Sequence, residues 1–330
     1  MSDNYSDSKG ASPTTTSMSE PADESEWVEL KDSIVSYSNY HEGHVSAHSK
    51  IGRRKYQEDR FVVCPKILGK DTQQFYGVFD GTVGDYTADY VNSTFLLNFL
   101  RSKSYVNSTK VFGDIDPKTY VEAMKEAYIR TEMDLIEKSR VDDVCYSACT
   151  SATVFLHDDY ITVGHLADSL VALGTVDEEG HIKGRNLTIE HKPDQRAELD
   201  RIVSMGGSLT YLHGGKPFLR GGDFHDRIMK GDRPMQLNYS RAFGAKDLKP
   251  YGLSSIPDIS QFKRTEKDRY LVIGSDGIWD VMDAQKAVTM AHEAHLKGLN
   301  PAEYLTDSAL QMRDMLGLID NVTVIVVRLT

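Results

Sequence analysis

The chain has 330 residues, 49 of them Asp or Glu against 38 Lys or Arg, which gives a formal net charge of −11. That balance argues against a general nucleic-acid or membrane-surface binder, since both attract basic faces, and suits an acidic protein that recruits cations. Three cysteines, Cys64, Cys145 and Cys149, are too few and too irregular for a disulfide framework or a four-thiolate zinc site, and no apolar run approaches the roughly 20 residues of a membrane span.

Residues 1–25 (MSDNYSDSKGASPTTTSMSEPADES) are rich in Ser, Thr, Asp and Glu and nearly empty of large aliphatics. Such a stretch cannot offset the entropy of ordering, so a disordered tail is expected. No basic stretch followed by an apolar run is visible, and Ser2 excludes N-myristoylation, so a cytoplasmic or nuclear setting is expected. From Trp27 onward the composition turns globular without a second linker or a repeat, and one domain over 26–330 is the simplest expectation.

In chain order, QFYGVF (Gln74 to Phe79) has the apolar and aromatic run of a buried strand. Asp85 to Arg101 and Asp116 to Lys138 are expected to be helical, the second with Asp116 as N-cap, Pro117 at the first helical position, and Val121, Met124, Tyr128 and Leu135 on one face. Between Ala152 and Val176, short β-branched runs separated by a His-Asp-Asp turn predict a meander of strands. DQRAELDRIVSMGG predicts a helix stopped by Gly206 and Gly207. Late in the chain, YLVIGSDG predicts a strand, two helices follow with Asp283 and Asn300 as N-caps, and NVTVIVVRL predicts a buried closing strand. Hairpins with few single-helix crossovers favour antiparallel sheets with helices packed outside, an α+β class.

Three acids stand at the ends of these strands: Asp80 in VFDG, Asp276 in IGSDG and Asp320 in IDNVTVIVV. Rigid strand ends can bring distant acids into one cleft, where like charges repel unless a cation lies between them. All-oxygen ligands select Mg²⁺ or Mn²⁺ over zinc. Glu58 in GRRKYQEDR is a further acid of the right type, and the arginines before it suit an anionic substrate, because a guanidinium can grip two phosphate oxygens at once. Taken singly, each Asp-Gly after a strand is more simply a hairpin turn.

GRRKYQED (Gly52 to Asp59), YGVFDG (Tyr76 to Gly81), SACTSATV (Ser147 to Val154), HLADS (His165 to Ser169), IEHKPDQRAELDRIVSMGG (Ile189 to Gly207), YSRAFG (Tyr239 to Gly244), IGSDGIWDVM (Ile273 to Met282) and DNVTVIVV (Asp320 to Val327) occur in that order. Together they resemble the motifs of the metal-dependent serine/threonine phosphatases of the protein phosphatase 2C type, from about Tyr40 to the C-terminus. The resemblance implies a four-layer αββα sandwich, two antiparallel sheets flanked by helix pairs, with metals at one end. It implies that Asp80 bridges two Mg²⁺ or Mn²⁺ ions, that the Gly81 carbonyl, Glu58, Asp276 and Asp320 complete the shell, and that Arg54 binds the phosphate. Asp168 and Asp280 match positions that hold a weaker third ion in relatives, and Asp59 matches an acid that supports the metal waters. The activity implied is hydrolysis of phosphoserine and phosphothreonine in phosphoproteins by a hydroxide bridging the two ions, in a monomer without nucleic-acid or membrane partners.

Three departures are visible. Thr82 stands where the family writes a His thought to protonate the leaving alkoxide, and lost acid assistance commonly costs about 10² to 10⁴ in rate. Leu170 replaces an Arg of the family in HLADSL. The segment Leu209 to Leu237 is longer than usual at the position of the flap beside the channel, and its Lys216, Arg220, Arg227, Lys230 and Arg233 suit phosphopeptide selection. A catalytically weakened scaffold or regulatory binding module is the alternative.

Overall fold

The computed structural model describes residues 34–35, 39–110, 115–142, 144–212 and 214–329, so the expected tail over 1–25 lies outside the described residues. Two antiparallel sheets form the centre. One has six strands in the spatial order Tyr40–Glu42, Val45–Lys50, Val322–Arg328, Asp268–Gly274, Leu170–Val176, Ile182–Asn186. The other has five, in the order Asp258–Lys263, Tyr160–Leu166, Ser151–His157, Gln73–Phe79, Arg60–Cys64. The expected meander is the hairpin Ser151–His157 with Tyr160–Leu166, followed by Leu170–Val176, which crosses into the other sheet.

Strand alternation explains why these runs are apolar throughout. In Gln73–Phe79, Tyr76 and Val78 face the opposite sheet, whereas Phe75 and Phe79 face helices. In Val322–Arg328, Ile325 and Val327 fill the space between sheets while Val322, Val324 and Val326 pack outward. Each sheet is therefore covered on both faces, and successive side chains are all withdrawn from water. The helices Tyr86–Leu100, Lys103–Ser108 and Lys118–Val141 cover the five-stranded sheet with a cluster rich in aromatic rings, including Phe95 against Tyr128 at 4.8 Å. Ala284–Leu296 and Pro301–Leu316 cover the other sheet through small residues, Ala287, Ala291, Ala302 and Ala309. The result is the four-layer αββα sandwich.

Local signals account for the helix ends. Asp283 and Asn300 accept from the amides of Lys286 and Glu303, as their N-cap positions require. The helix expected from Asp116 starts at Lys118 instead, with Asp116 Oδ1 still accepting the Lys118 amide at 3.0 Å. Met124, Tyr128 and Leu135 are buried on it as expected, while Val121 is half-buried. Among the described residues, no helix is long and apolar enough to cross a membrane.

The segment after Gly207 is more ordered in its hydrogen bonding than its glycine content suggests. Ser208–Leu212 pairs with Lys216–Arg220, which pairs with Gln236–Leu237, and a short helix, Phe224–Lys230, ends at the left-handed Gly231. Arg220 lies 4.1 Å over the Phe224 ring, and Arg227 bonds Asp223 and Asp247, so part of the basic charge expected to meet a phosphopeptide is already engaged within the fold.

Candidate metal and phosphate centre

Pairing registers bring distant residues to one end of the sandwich. Arg60 pairs with Phe79 and Ser151 with Leu166 in one sheet; Gly274 pairs with both Val324 and Leu170, and Val322 with Lys50, in the other. The residues that follow or precede these positions are Asp80, Asp168, Asp276 and Asp320, together with the loop carrying Arg54, Glu58 and Asp59.

Each acid is fixed by its backbone. The Asp80 amide donates to Thr150 Oγ1 at 3.1 Å, and Thr150 Oγ1 lies 2.6 Å from Ser169 Oγ, which ties the two sheets together beneath the cleft. Asp276 opens the short helix Asp276–Trp279, a turn not foreseen from the Asp-Gly pattern; a Cβ on Gly277 would meet the Asn321 carbonyl at 2.0 Å, so only glycine allows this approach. Asn321 is the clamp of the site: its Oδ1 accepts the Glu58 amide at 2.8 Å and its Nδ2 donates to the carbonyls of Ile51 and Tyr56 at 2.9 and 3.0 Å. The Gly81 amide donates to the Glu58 carbonyl at 3.1 Å and the Gly84 amide to Glu58 Oε1 at 2.6 Å, so the loop 80–84 wraps Glu58. Val83 at φ 60° and Ala167 at φ 70° are left-handed without being glycine, strain of roughly 1–3 kcal/mol each, beside Asp80 and Asp168 respectively. His191 holds the second of these, accepting the Ala167 amide on Nδ1 at 3.1 Å and donating its own amide to the Ala167 carbonyl at 3.0 Å.

The electrostatics are those of crowded carboxylates. Burial, then the charges of Asp59, Asp276, Asp320 and Asp168, push the Asp80 carboxyl well above its ordinary range. Burial, then Asp168, Asp320 and Asp280, do the same to Asp276, with Arg313 opposing. Asp59, buried beneath them, accepts from Ser275 Oγ at 2.9 Å, and burial raises it to about 6. The expected acids therefore interact as one group, and Glu58 joins them through Arg54.

Cations relieve part of this charge. Arg54 Nη2 lies 2.9 Å from Asp320 Oδ1 with its side chain 43% exposed; partial burial disfavours its charge, but Asp320, then Glu58 and Asp80, hold the guanidinium above its ordinary value. Lys192 Nζ lies 2.6 Å from the buried Asp168, which keeps the ammonium charged despite its own burial. Arg313, almost wholly buried, reaches Asp320 Oδ2 at 3.3 Å and Asp280 Oδ2 at 3.6 Å, and Lys216 from the flap also lies 3.6 Å from Asp280. Lys192, Arg313 and Asn321 were not singled out from the sequence as parts of the site; the first and last lie within its motifs. Burial, with Asp168 and Asp80 nearby, also pushes the Tyr239 hydroxyl well above its ordinary value.

The donor set fits hard divalent ions: carboxylate oxygens, mutually repelling, with Arg54, Lys192 and Arg313 paired to acids at the margins. Among the described residues, tighter groups of potential ligand atoms, within 4.8 Å of one another, occur elsewhere, at His165, His191 and Asp258 and at Asp177, Glu179 and His181. The first is a poor metal cage, because His191 Nδ1 accepts a backbone N–H and its Nε2 must then carry the ring proton toward Asp258. The second is an exposed hairpin whose Asp177 is occupied by the amides of Glu179 and His181.

The sequence profile of protein phosphatase 2C matches residues 43–314, and the chain belongs to that family of serine/threonine protein phosphatases. It is similar to a serine-threonine phosphatase 2C from Toxoplasma gondii, known from a crystal structure, at 36% identity and a TM-score of 0.86, covering 89% of this chain and 98% of that one. Probable protein phosphatase 2C 73 of Arabidopsis thaliana is 27% identical over 256 residues, 74% of this chain and 67% of that protein. Probable protein phosphatase 2C 75 of Oryza sativa subsp. japonica is 32% identical over 167 residues, 51% of this chain but 37% of that protein.

Proposed function

We propose that the chain hydrolyses phosphoserine and phosphothreonine in phosphoproteins, with Glu58, Asp80, the Gly81 carbonyl, Asp276 and Asp320 holding two Mg²⁺ or Mn²⁺ ions. When bound, such ions supply hydroxide near neutral pH and offset the charge on the phosphoryl group. Arg54, anchored on Asp320 yet half-exposed, is placed to turn its remaining donors to two phosphate oxygens. Asp59 stands behind the ligands on Ser275 and supports their positions, and Asp168 with Asp280 forms the weaker third position, where Lys192 and Lys216 already sit.

The observation that carries this reading is the perturbation of Asp80 by Asp276, Asp320 and Asp168, and of Asp276 by the last two, acids spread along the chain from position 80 to position 320 that meet in space. The test is phosphate release from phosphoserine and phosphothreonine peptides as Mn²⁺ or Mg²⁺ is titrated, for wild type and Asp80→Asn. Metal-stimulated release by wild type alone is expected; no release from any phosphopeptide would refute it. Thr82, which is no acid, favours the scaffold alternative, and Mn²⁺ binding without turnover would support it.

A further inference from the structure

A pocket at the far end of the six-stranded sheet is lined by basic side chains and, among the described residues, by no acid. Val322 and its partner Lys50 mark the end that carries the carboxylates, while Arg328, beside Tyr270, marks the other. The steps from Val322 to Arg328, at about 3.3 Å each, separate the two ends by roughly 20 Å. The cavity there has a volume of about 220 Å³ and is lined by the buried Val45, Val326 and Tyr270 and by His41, His295 and Arg328. A water molecule takes roughly 30 Å³ of liquid, so a tetrahedral oxyanion fits with room for part of the group that carries it. The Arg328 amide donates to the His44 carbonyl at 2.7 Å, which fixes the first hairpin against the closing strand at this point.

The half-buried Arg328 side chain has no carboxylate within ion-pair distance among the described residues. Its Nη1 donates to His295 Nε2 at 2.9 Å, and its Nε is buried without a partner. Because arginine only donates, His295 Nε2 must accept, and the ring proton sits on Nδ1 as a further donor. Burial, then the charges of Arg328 and His292, hold the His295 imidazole below its ordinary value, and Arg328 with Arg269 acts on the Tyr270 hydroxyl in the same sense. Acids on the neighbouring elements are engaged elsewhere: Glu42 accepts from the Tyr40 hydroxyl at 3.1 Å, and Glu293 pairs with Lys297 at 3.6 Å. In a chain of net charge −11, a half-buried guanidinium set against a neutral imidazole pays desolvation with no ion pair to offset it. An anion in the cavity would supply the missing partner.

We propose that this pocket is an anion site remote from Arg54, which takes a phosphate-type tetrahedral oxyanion on the Arg328 guanidinium and the His295 and His41 imidazoles. A guanidinium fork can hold two oxygens of such an ion, and imidazole N–H groups serve the others. The bound ion ties the closing strand to the first hairpin and to the last helix pair, which stabilises the three together. The assignment is independent of hydrolysis at the carboxylate centre.

The test is isothermal titration of the full chain with sodium phosphate in excess chelator, near neutral pH and at fixed ionic strength, with the Tm measured alongside. Wild type, Arg328→Met, His295→Gln and Arg54→Met are compared. Wild type is expected to bind phosphate saturably and to melt at a higher temperature when it does. Arg328→Met should weaken binding by on the order of tenfold or more, His295→Gln should weaken it less, and Arg54→Met should leave it unchanged. Should Arg328→Met fail to fold, His295→Gln against wild type still decides. A short phosphoserine peptide titrated in the same way separates the sources of the anion: binding tighter than phosphate assigns the pocket to a phosphorylated residue, and weaker binding assigns it to the free ion. No saturable phosphate binding, an equal response to sodium chloride, or binding that survives Arg328→Met and His295→Gln but is lost in Arg54→Met would overturn the assignment. Turnover is not part of this readout, so failure of the hydrolase reading leaves the result intact.

Discussion

Replacing Asp59 with Asn should stabilise the metal-free protein near neutral pH and leave no gain in acid. Asp59 is 3% exposed, and burial lifts its carboxyl from 3.8 to about 6, against hydrogen bonds that include one from Ser275. A raised carboxyl pKa means that the folded state binds the proton more tightly than the unfolded chain, so stability falls as pH rises from 3.8 to 6 and the full cost stands above that range. About two units at about 1.4 kcal/mol each come to roughly 3 kcal/mol. Asn keeps one acceptor for Ser275 but loses part of the remaining bonding, about 1 kcal/mol, which leaves a net gain of about 2 kcal/mol. The assay is urea denaturation in excess chelator at about pH 7.5 and about pH 4, comparing variant with wild type so that other titrating groups cancel. The difference should be about 2 kcal/mol in favour of the variant at the higher pH and should vanish or reverse at the lower. A variant less stable than wild type at the higher pH, or a difference independent of pH, would refute the reasoning.

Glu198 behaves in the opposite sense: burial pushes its carboxyl up, but bonds from Arg201, Arg241 and Ser240 bring it down to about 2. Its contribution is present above 4.5 and is lost as pH falls toward 2, and Glu198→Gln, which takes the carboxylate from Arg201 and leaves Arg241 only Asp258, should cost roughly 3–5 kcal/mol, read as a lower Tm. Gly277→Ala drives a Cβ into the Asn321 carbonyl, so Asp276 and Glu58 should both shift; metal-stimulated turnover should be lost while far-ultraviolet circular dichroism stays that of a folded sandwich. Arg54→Lys keeps a cation but not the fork, and a rise in KM for phosphopeptides of about tenfold, larger than the change in kcat, is expected from steady-state kinetics.

The layers were legible because the physics that makes them acts locally. Runs such as VTVIVV alternate between two buried faces and so stay apolar, and Asp283 and Asn300 cap helices through their own side chains. The flap was not legible: SLTYL and KPFLR have few buried side chains, so their pairing around Gly214 and Gly215 leaves no apolar stripe. KSYVNS, the short helix Lys103–Ser108, is held by burial of Tyr105 and by the Ser102 cap rather than by helix propensity. At the site, Asp80 and Asp276 stood out because Asp-Gly after a buried strand is a local pattern, and Asp320 because it stands just before the apolar closing strand. Arg313 did not, since a charge on an amphipathic helix usually faces water, and only the fold turns this one inward to Asp320 and the carbonyls of Asp276 and Gly277. Asn321 acts through bonds to Ile51, Tyr56 and Glu58, more than 260 residues away in sequence, which no spacing rule would reveal.

Isothermal titration of the chelated protein with Mn²⁺ tests the central claim most directly, because it asks whether the converging acids hold cations without asking for turnover. Wild type should bind about two ions, and Asp80→Asn and Asp276→Asn should each remove heat of binding at the same protein concentration. Failure of wild type to bind Mn²⁺, or undiminished binding by both variants, would contradict it.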